Sequence, residues 1–258
     1  MAESRRRLLA WYGDDFTGAA AVMEVMAFGG VPSVLFLDPP SAADLAAFPD
    51  ALGVGVAGTA RAQTPDWMRR ELPAIFSSLR SIGAALTLYK ICSTLDSSPR
   101  IGSIGCAVEL ASKVFNCPLV PVMPAAPPIG RWQAFGTLFA KAPDGIHRLD
   151  RHPVMARHPV TPMVEADVVR HLSGQTELPV GCLMLPDLAA PDGGDAALDR
   201  LQRAGIRLVA LDCAGEADLV RIGALLWDRR GPEAFVVGSQ GLAYALLAHL
   251  AARGDLAL

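Results

Sequence analysis

Short apolar runs alternate with stretches of helical period along almost the whole chain, and this alternation limits the folds open to it. Runs at 8–12, 32–37, 51–57, 84–89, 119–123, 180–185, 207–211 and 234–237 read as strands. Ala19, Val22, Met23 and Met26 fall at i, i+3, i+4 and i+7, so a first helix follows the first run. Further helices are expected over 64–79, 101–115, 164–172, 196–204, 218–227 and 241–252. Repeated strand–helix–strand units need crossover connections, which predicts an α/β fold: a mostly parallel sheet with helices on both faces. The rhythm breaks over 124–162, which holds seven prolines and three glycines. That stretch is expected to be an irregular, Pro-rich excursion over the sheet edge with a short hairpin around 135–149.

The length, 258 residues, suits one large α/β domain or one and a half small ones, and a 52% hydrophobic composition supports a buried core. Lys and Arg total 23 against 26 Asp and Glu, a formal charge of −3. No basic tract interleaves with aromatics, which argues against nucleic acid as a partner. No apolar run is long enough to span a bilayer, and the amino terminus does not read as a signal peptide, so no membrane role is expected. Cys92, Cys106, Cys117, Cys182 and Cys213 are scattered, with no CxxC pair. Such usage fits a reducing cytoplasm and no structural zinc. A homo-oligomer is left open.

Chemistry concentrates where strands end. The first run closes on Gly13-Asp14-Asp15-Phe16-Thr17-Gly18. Either Asp15 or Thr17 can cap the helix that follows. Two adjacent carboxylates at a strand–helix junction are hard to satisfy without cations, hydroxyls or a proton, so a hydroxyl-bearing ligand fits, and one Asp can take its proton. Arg61, after the third run, is placed to fork onto a carboxylate or phosphate, or else to pair with a nearby acid. Lys90 ends the fourth run, followed by Ser93, Thr94, Ser97 and Ser98. It either snorkels at the surface or aims an ammonium into the edge crevice. Cys92 reads as a small buried filler, since no neighbouring base would make it a hydrolase nucleophile. His147, Arg148, Arg151, His152, Arg157 and His158 make the excursion basic, a lid over an acidic ligand or a solvated loop; their spacing fits no zinc pattern. Gly238-Ser239-Gln240-Gly241 opens the last helix and is either a turn or a phosphate-binding helix start.

These motifs together resemble the four-carbon acid sugar kinases, the DUF1537 family. Tyr12-Gly13-Asp14-Asp15-Phe16-Thr17-Gly18-Ala19 resembles its A-D-D-x-T-G-A opening. Tyr89-Lys90-Ile91-Cys92-Ser93-Thr94-Leu95 is similar to Y-K-K-I-D-S-T-L, and Thr59-Ala60-Arg61 to T-x-S-R. Residues 121–130, carried through Arg131, resemble P-A-F-P-x-x-G-R. His158-Pro159-Val160-Thr161-Pro162-Met163 is similar to D-P-x-T-P-M, and Gly238-Ser239-Gln240-Gly241-Leu242-Ala243 to G-S-x-G-L-A. The chain departs from the pattern at Cys92, where the family has Asp, and at Asp96-Ser97, where it has Arg-Gly; Arg100 is the nearest substitute cation.

The resemblance implies a kinase that transfers phosphate from ATP, with magnesium, to a small sugar acid such as threonate, erythronate or an oxo or branched analogue. It implies Asp14 and Asp15 as catalytic residues, and Thr17, Gly18, Arg61, Lys90, Ser93, Thr94, Arg131 and His158 as substrate contacts. Gly238, Ser239 and Gly241 would meet nucleotide phosphate, and no resident metal ligands are expected. Residues 1–237 would form an acid-sugar-binding domain, and 238–258 the start of a junction to a nucleotide-binding domain absent from this chain. The alternative is a non-catalytic sugar-acid sensor.

Overall fold

The apolar runs become one eight-stranded parallel sheet in the computed structural model, which describes residues 6–256. Residues 1–5, which enter the signal-peptide reading, and the last two of 238–258 lie outside the described residues. The first half of the chain runs β1 (Leu9–Gly13), α1 (Phe16–Phe28), β2 (Ser33–Phe36), α2 (Ala42–Ala46), β3 (Gly53–Ala57), α3 (Pro65–Ser81), β4 (Leu86–Lys90), α4 (Ile104–Phe115) and β5 (Val120–Met123). An excursion follows, with β6 (Arg131–Ala134), β7 (Thr137–Ala142) and β8 (Gly145–Arg148). The chain ends with α5 (Val168–Ser173), β9 (Val180–Leu183), α6 (Leu185–Leu188), α7 (Asp195–Arg203), β10 (Leu208–Leu211), α8 (Glu216–Asp228), β11 (Phe235–Gly238) and α9 (Gly241–Ala252).

The sheet order is β2-β3-β1-β4-β11-β5-β10-β9. Both faces are buried, so alternate residues of a strand feed two cores. Tyr12, Val54, Val56 and Tyr89 pack with Met68, Leu72 and Phe76 of α3 and Val108 of α4. Trp11 and Leu88 point the other way, towards Val22 and Met26 of α1, Ile222 of α8 and Leu246 of α9. β11 pairs with both β4 and β5, and α9 packs on α8 and α1, so the last strand and helix lie within this architecture.

The excursion is more regular than the sequence implies. It holds a three-stranded antiparallel sheet, β6-β7-β8, whose first turn places Phe135 and Gly136 at φ 50° and 73°. The first helix begins at Phe16, capped by Asp15, one of the two capping candidates. Two later helix starts move by three residues or more. The helix expected over 101–115 begins at Ile104, capped by Ser103. The helix expected from 164 begins only at Val168: the Ala166 carbonyl accepts from Leu138 N–H and Asp167 bridges to Thr137, which holds this backbone extended beside β7. The strand expected to reach 185 stops at Leu183, and Leu185–Leu188 turns into α6. Helix α2 was not expected, since it buries no side chain and so has no apolar period; a Ser41–Asp44 capping box starts it.

Candidate active site at the switch point

Strand order places a crevice where connections diverge. From β1 the chain passes to β2 on one side, whereas from β4 it passes to β5 on the other. Ligands of parallel sheets collect outside strand carboxyl ends at such a point. The register aligns Ala57, Gly13, Lys90, Gly238 and Met123 across neighbouring strand ends, so the residues just past them converge.

Asp14 and Asp15 meet Arg61 there. Arg61 Nη2 donates to Asp14 Oδ1 at 2.6 Å, Nε to Asp14 Oδ2 at 3.2 Å, and Nη1 to Asp15 Oδ2 at 2.7 Å. The backbone is tied as well: Asp14 N–H donates to the Lys90 carbonyl, and Arg61 N–H to the Asp14 carbonyl, each at 2.9 Å. The two carboxylates differ in role. Asp15 Oδ1 accepts from Gly18 N–H at 2.8 Å and caps α1, so of the two capping candidates Asp15 is the cap and Thr17 is left exposed. Asp14 is buried, with a side chain only 3% exposed. Burial pushes its carboxyl up to about 6, against the pull of Arg61 and Lys90.

Lys90 is 2% exposed and stands behind this pair rather than in the opening. Its Nζ donates to the Ile91 carbonyl at 2.7 Å, and burial lowers its pKa while Asp14 opposes that fall. A Cβ on Gly18 would come within 2.6 Å of Lys90 Nζ, so glycine at 18 leaves room for the ammonium under the start of α1. Arg61 has five N–H groups and spends three on the two acids, so two remain for a ligand.

The acids open onto a cavity of about 280 Å³ lined by Asp14, Asp15, Phe16, Arg61, Asp96 and His158, among others. Thr94 is buried in the loop after β4, its Oγ1 3.0 Å from Cys92 Sγ, and Ser93 is half-buried beside it. Arg131 lies on β6, donates to the Ile129 and Gly130 carbonyls, and does not line this cavity. Arg100 is exposed and does not line it either. Among the basic residues singled out in the excursion, His158 alone lines the cavity. Arg148 pairs with Asp150, and His147 with Asp144.

Gly238, Ser239 and Gly241 sit beside Lys90 at the same sheet edge but use their polar groups internally. Ser239 Oγ donates to the Ala125 carbonyl and accepts from Gly241 N–H, and a Cβ on Gly241 would collide with that same carbonyl. Asp96 and Thr161 are cavity and cavity-edge residues that sequence reasoning did not select. Asp96 stood out only as a departure from the family pattern, and Thr161 carried no signal as a site residue.

Residues 9–246 match the family described as the sugar-binding N-terminal domain. The chain is 45% identical over 250 residues to the 3-oxo-isoapionate kinase of Paraburkholderia graminis, covering 96% of this chain and 52% of that protein. It is 34% identical over 244 residues to a 3-oxo-tetronate kinase of Pseudomonas fluorescens, covering 93% of this chain and 54% of that protein. A Haemophilus influenzae protein of family DUF1537 shares the fold at a TM-score of 0.82 and 22% identity, over 94% of this chain and 56% of that one. The chain thus spans about half the length of the curated relatives it matches. With the motifs at the switch point and a match over nearly its whole length, this chain belongs to the sugar-binding N-terminal domain family.

Proposed function

We propose that this chain is the sugar-acid-binding part of an ATP-dependent kinase that phosphorylates a small oxo or branched sugar acid. The observation that carries the reading is a buried carboxylate, Asp14, held by Arg61 at the switch point and facing a cavity sized for a small acid. The names of the relatives support the reaction class. Asp14 accepts the proton of the substrate hydroxyl as that oxygen attacks phosphorus. Its Oδ2, on the longer contact to Arg61, keeps a lone pair for the purpose. Asp15 holds the start of α1, and the two uncommitted N–H groups of Arg61 meet substrate oxygen. Lys90 keeps Asp14 ionised from behind. Phosphoryl transfer asks mostly for such positioning and charge neutralisation.

ATP with magnesium would supply the phosphoryl group. Ser239 and Gly241 are bonded to each other and packed on Ala125, so the Ser239 hydroxyl and the Gly241 N–H are already engaged and not offered to its phosphates. Among the described residues no three His, Cys, Asp or Glu side chains converge as metal ligands. We therefore assign nucleotide and magnesium to a part like the one that the relatives have beyond the matched half, approached from the residues that follow α9. A thermal-shift screen of this chain against four- and five-carbon sugar acids, without nucleotide, tests the reading. A ligand at a hundred times its Kd adds about 2.7 kcal/mol of stability, a rise of several degrees. No shift with any acid at millimolar concentration would remove the site as drawn.

A further inference from the structure

One wall of the cavity is built by two irregular segments joined through one threonine. Thr161, 4% exposed, donates its hydroxyl to Asp96 Oδ1. Its N–H donates to His158 Nδ1 at 3.1 Å, and its Oγ1 lies 3.0 Å from the same nitrogen. Asp96 comes from the loop after β4, and His158 and Thr161 from the segment before α5. A backbone N–H aimed at Nδ1 makes that atom the acceptor, so in the neutral ring the proton sits on Nε2. Among the described residues, His158 Nε2 and Asp96 Oδ2 make no hydrogen bond within the protein, and both side chains line the cavity. Their side chains are 25% and 15% exposed, so both are largely withdrawn from water.

The wall therefore offers a donor that cannot accept beside an acceptor that cannot donate. We propose that Asp96 and His158 form a specificity pair that reads an oxo group flanked by a hydroxyl: His158 Nε2–H donates to the ketone oxygen, and Asp96 accepts from the neighbouring hydroxyl. A ketone oxygen only accepts, so it suits Nε2–H. An alcohol at the same carbon brings an extra hydrogen for which the wall has no second acceptor, since Oδ1 of Asp96 is held by Thr161 and Oδ2 by the flanking hydroxyl. A site built on such groups rejects the analogue that leaves one unpaired. The ketone is thereby selected over its reduced form. This inference rests on reading the cavity as the sugar-acid site.

The test is calorimetry of this chain with two probes, 3-oxo-tetronate and the corresponding reduced tetronate. Wild type should bind the oxo acid at least about tenfold more tightly, the equivalent of about 1.4 kcal/mol. His158→Phe should weaken binding of the oxo acid and leave the reduced acid nearly unchanged, bringing the ratio close to one. His158→Gln, whose amide places a donor near the Nε2 position, should keep most of the preference, which a purely structural role for His158 would not predict. Equal affinity of wild type for the two acids, or a ratio that survives His158→Phe, overturns the specificity pair and leaves the site reading standing. Binding of neither acid overturns both.

Discussion

At the scale of single residues, Asp14 and Asp15 are neighbours in sequence with different work. Asp15 caps α1 through Oδ1, which Asn can do about as well, while its Oδ2 accepts from Arg61, which an amide NH2 cannot; in the full-length kinase proposed above, Asp15→Asn should therefore fold and lose phosphoryl transfer only partly. Asp14→Asn should fold and lose transfer by about a hundredfold or more, because an amide cannot take a proton. Equal, mild losses in the two variants, with unchanged circular dichroism, would remove the general-base role. The pH profile adds a second check. A base must be ionised to act, so activity should fall below about pH 6, where Asp14 becomes protonated. Lys90→Met removes a cation that favours the ionised form, so this acidic limb should move to higher pH; a limb that stays in place would mean Lys90 does not act through Asp14. The same shift bears on stability. The folded pKa of Asp14 lies above that of an unfolded Asp, so its contribution is full below about pH 4 and is lost as the pH rises through about 6. The ionised site therefore stands at a cost to the fold.

At the scale of elements, strand β3 shows how one core side chain shapes its neighbour. Gly53-Val54-Gly55-Val56 alternates glycine with valine. The valines enter the core under α3, while both glycines face Trp11, whose indole N–H donates to the Ala19 carbonyl at 3.1 Å. A Cβ on Gly55 would come within 2.2 Å of the Trp11 indole. Gly55→Ala should therefore cost about 1–3 kcal/mol by urea unfolding, as an overpacked core does. A loss under about 0.5 kcal/mol would mean the indole has room to move. The parallel elements were legible from sequence because strands buried on both faces read as short continuous apolar runs, while the helices keep a period of 3.6. The meeting of Asp14, Arg61 and Lys90 was legible for the same reason: parallel register brings strand ends side by side. Other features had no such period. The excursion's strands are short and rich in turn residues, and α2 buries nothing. The Asp96–Thr161 contact joins two irregular segments 65 residues apart, which no local pattern encodes. Arg61 had two readings in the sequence, a fork onto a ligand carboxylate or phosphate and a pair with a nearby acid; three of its five N–H groups serve Asp14 and Asp15, and which acids they are depends on side-chain reach that no pattern encodes.

At the scale of the whole molecule, Asp212 joins the excursion to the main sheet. It follows β10 and is fully buried. Its Oδ1 accepts from Gln133 Nε2 at 3.1 Å and Gly136 N–H at 2.9 Å, and its Oδ2 from Phe135 N–H at 2.6 Å and Leu185 N–H at 3.1 Å. One carboxylate thus fixes strand β6, the β6–β7 turn and the start of α6. Gln133 also pairs through its backbone with Cys213, so the antiparallel sheet is seated on the edge of the parallel one. A carboxylate can accept all four bonds; an amide cannot, because its NH2 group would face two N–H donors. Gln133 can turn its unpartnered Oε1 to the new NH2, so Asp212→Asn should leave either Gly136 N–H or both Phe135 and Leu185 N–H without an acceptor. Each orphaned buried donor costs about 1–3 kcal/mol, so the loss should be at least about 1 kcal/mol in urea unfolding. Hydrogen exchange locates the damage. If the amide takes the place of Oδ2, Phe135 and Leu185 should lose protection while Gly136 keeps it; if it takes the place of Oδ1, Gly136 should lose protection alone. Amides in β1 and β4 should be unaffected in either case. Unchanged protection at all three positions, with stability within about 0.5 kcal/mol of wild type, would show that the excursion is held by its apolar contacts and not by Asp212.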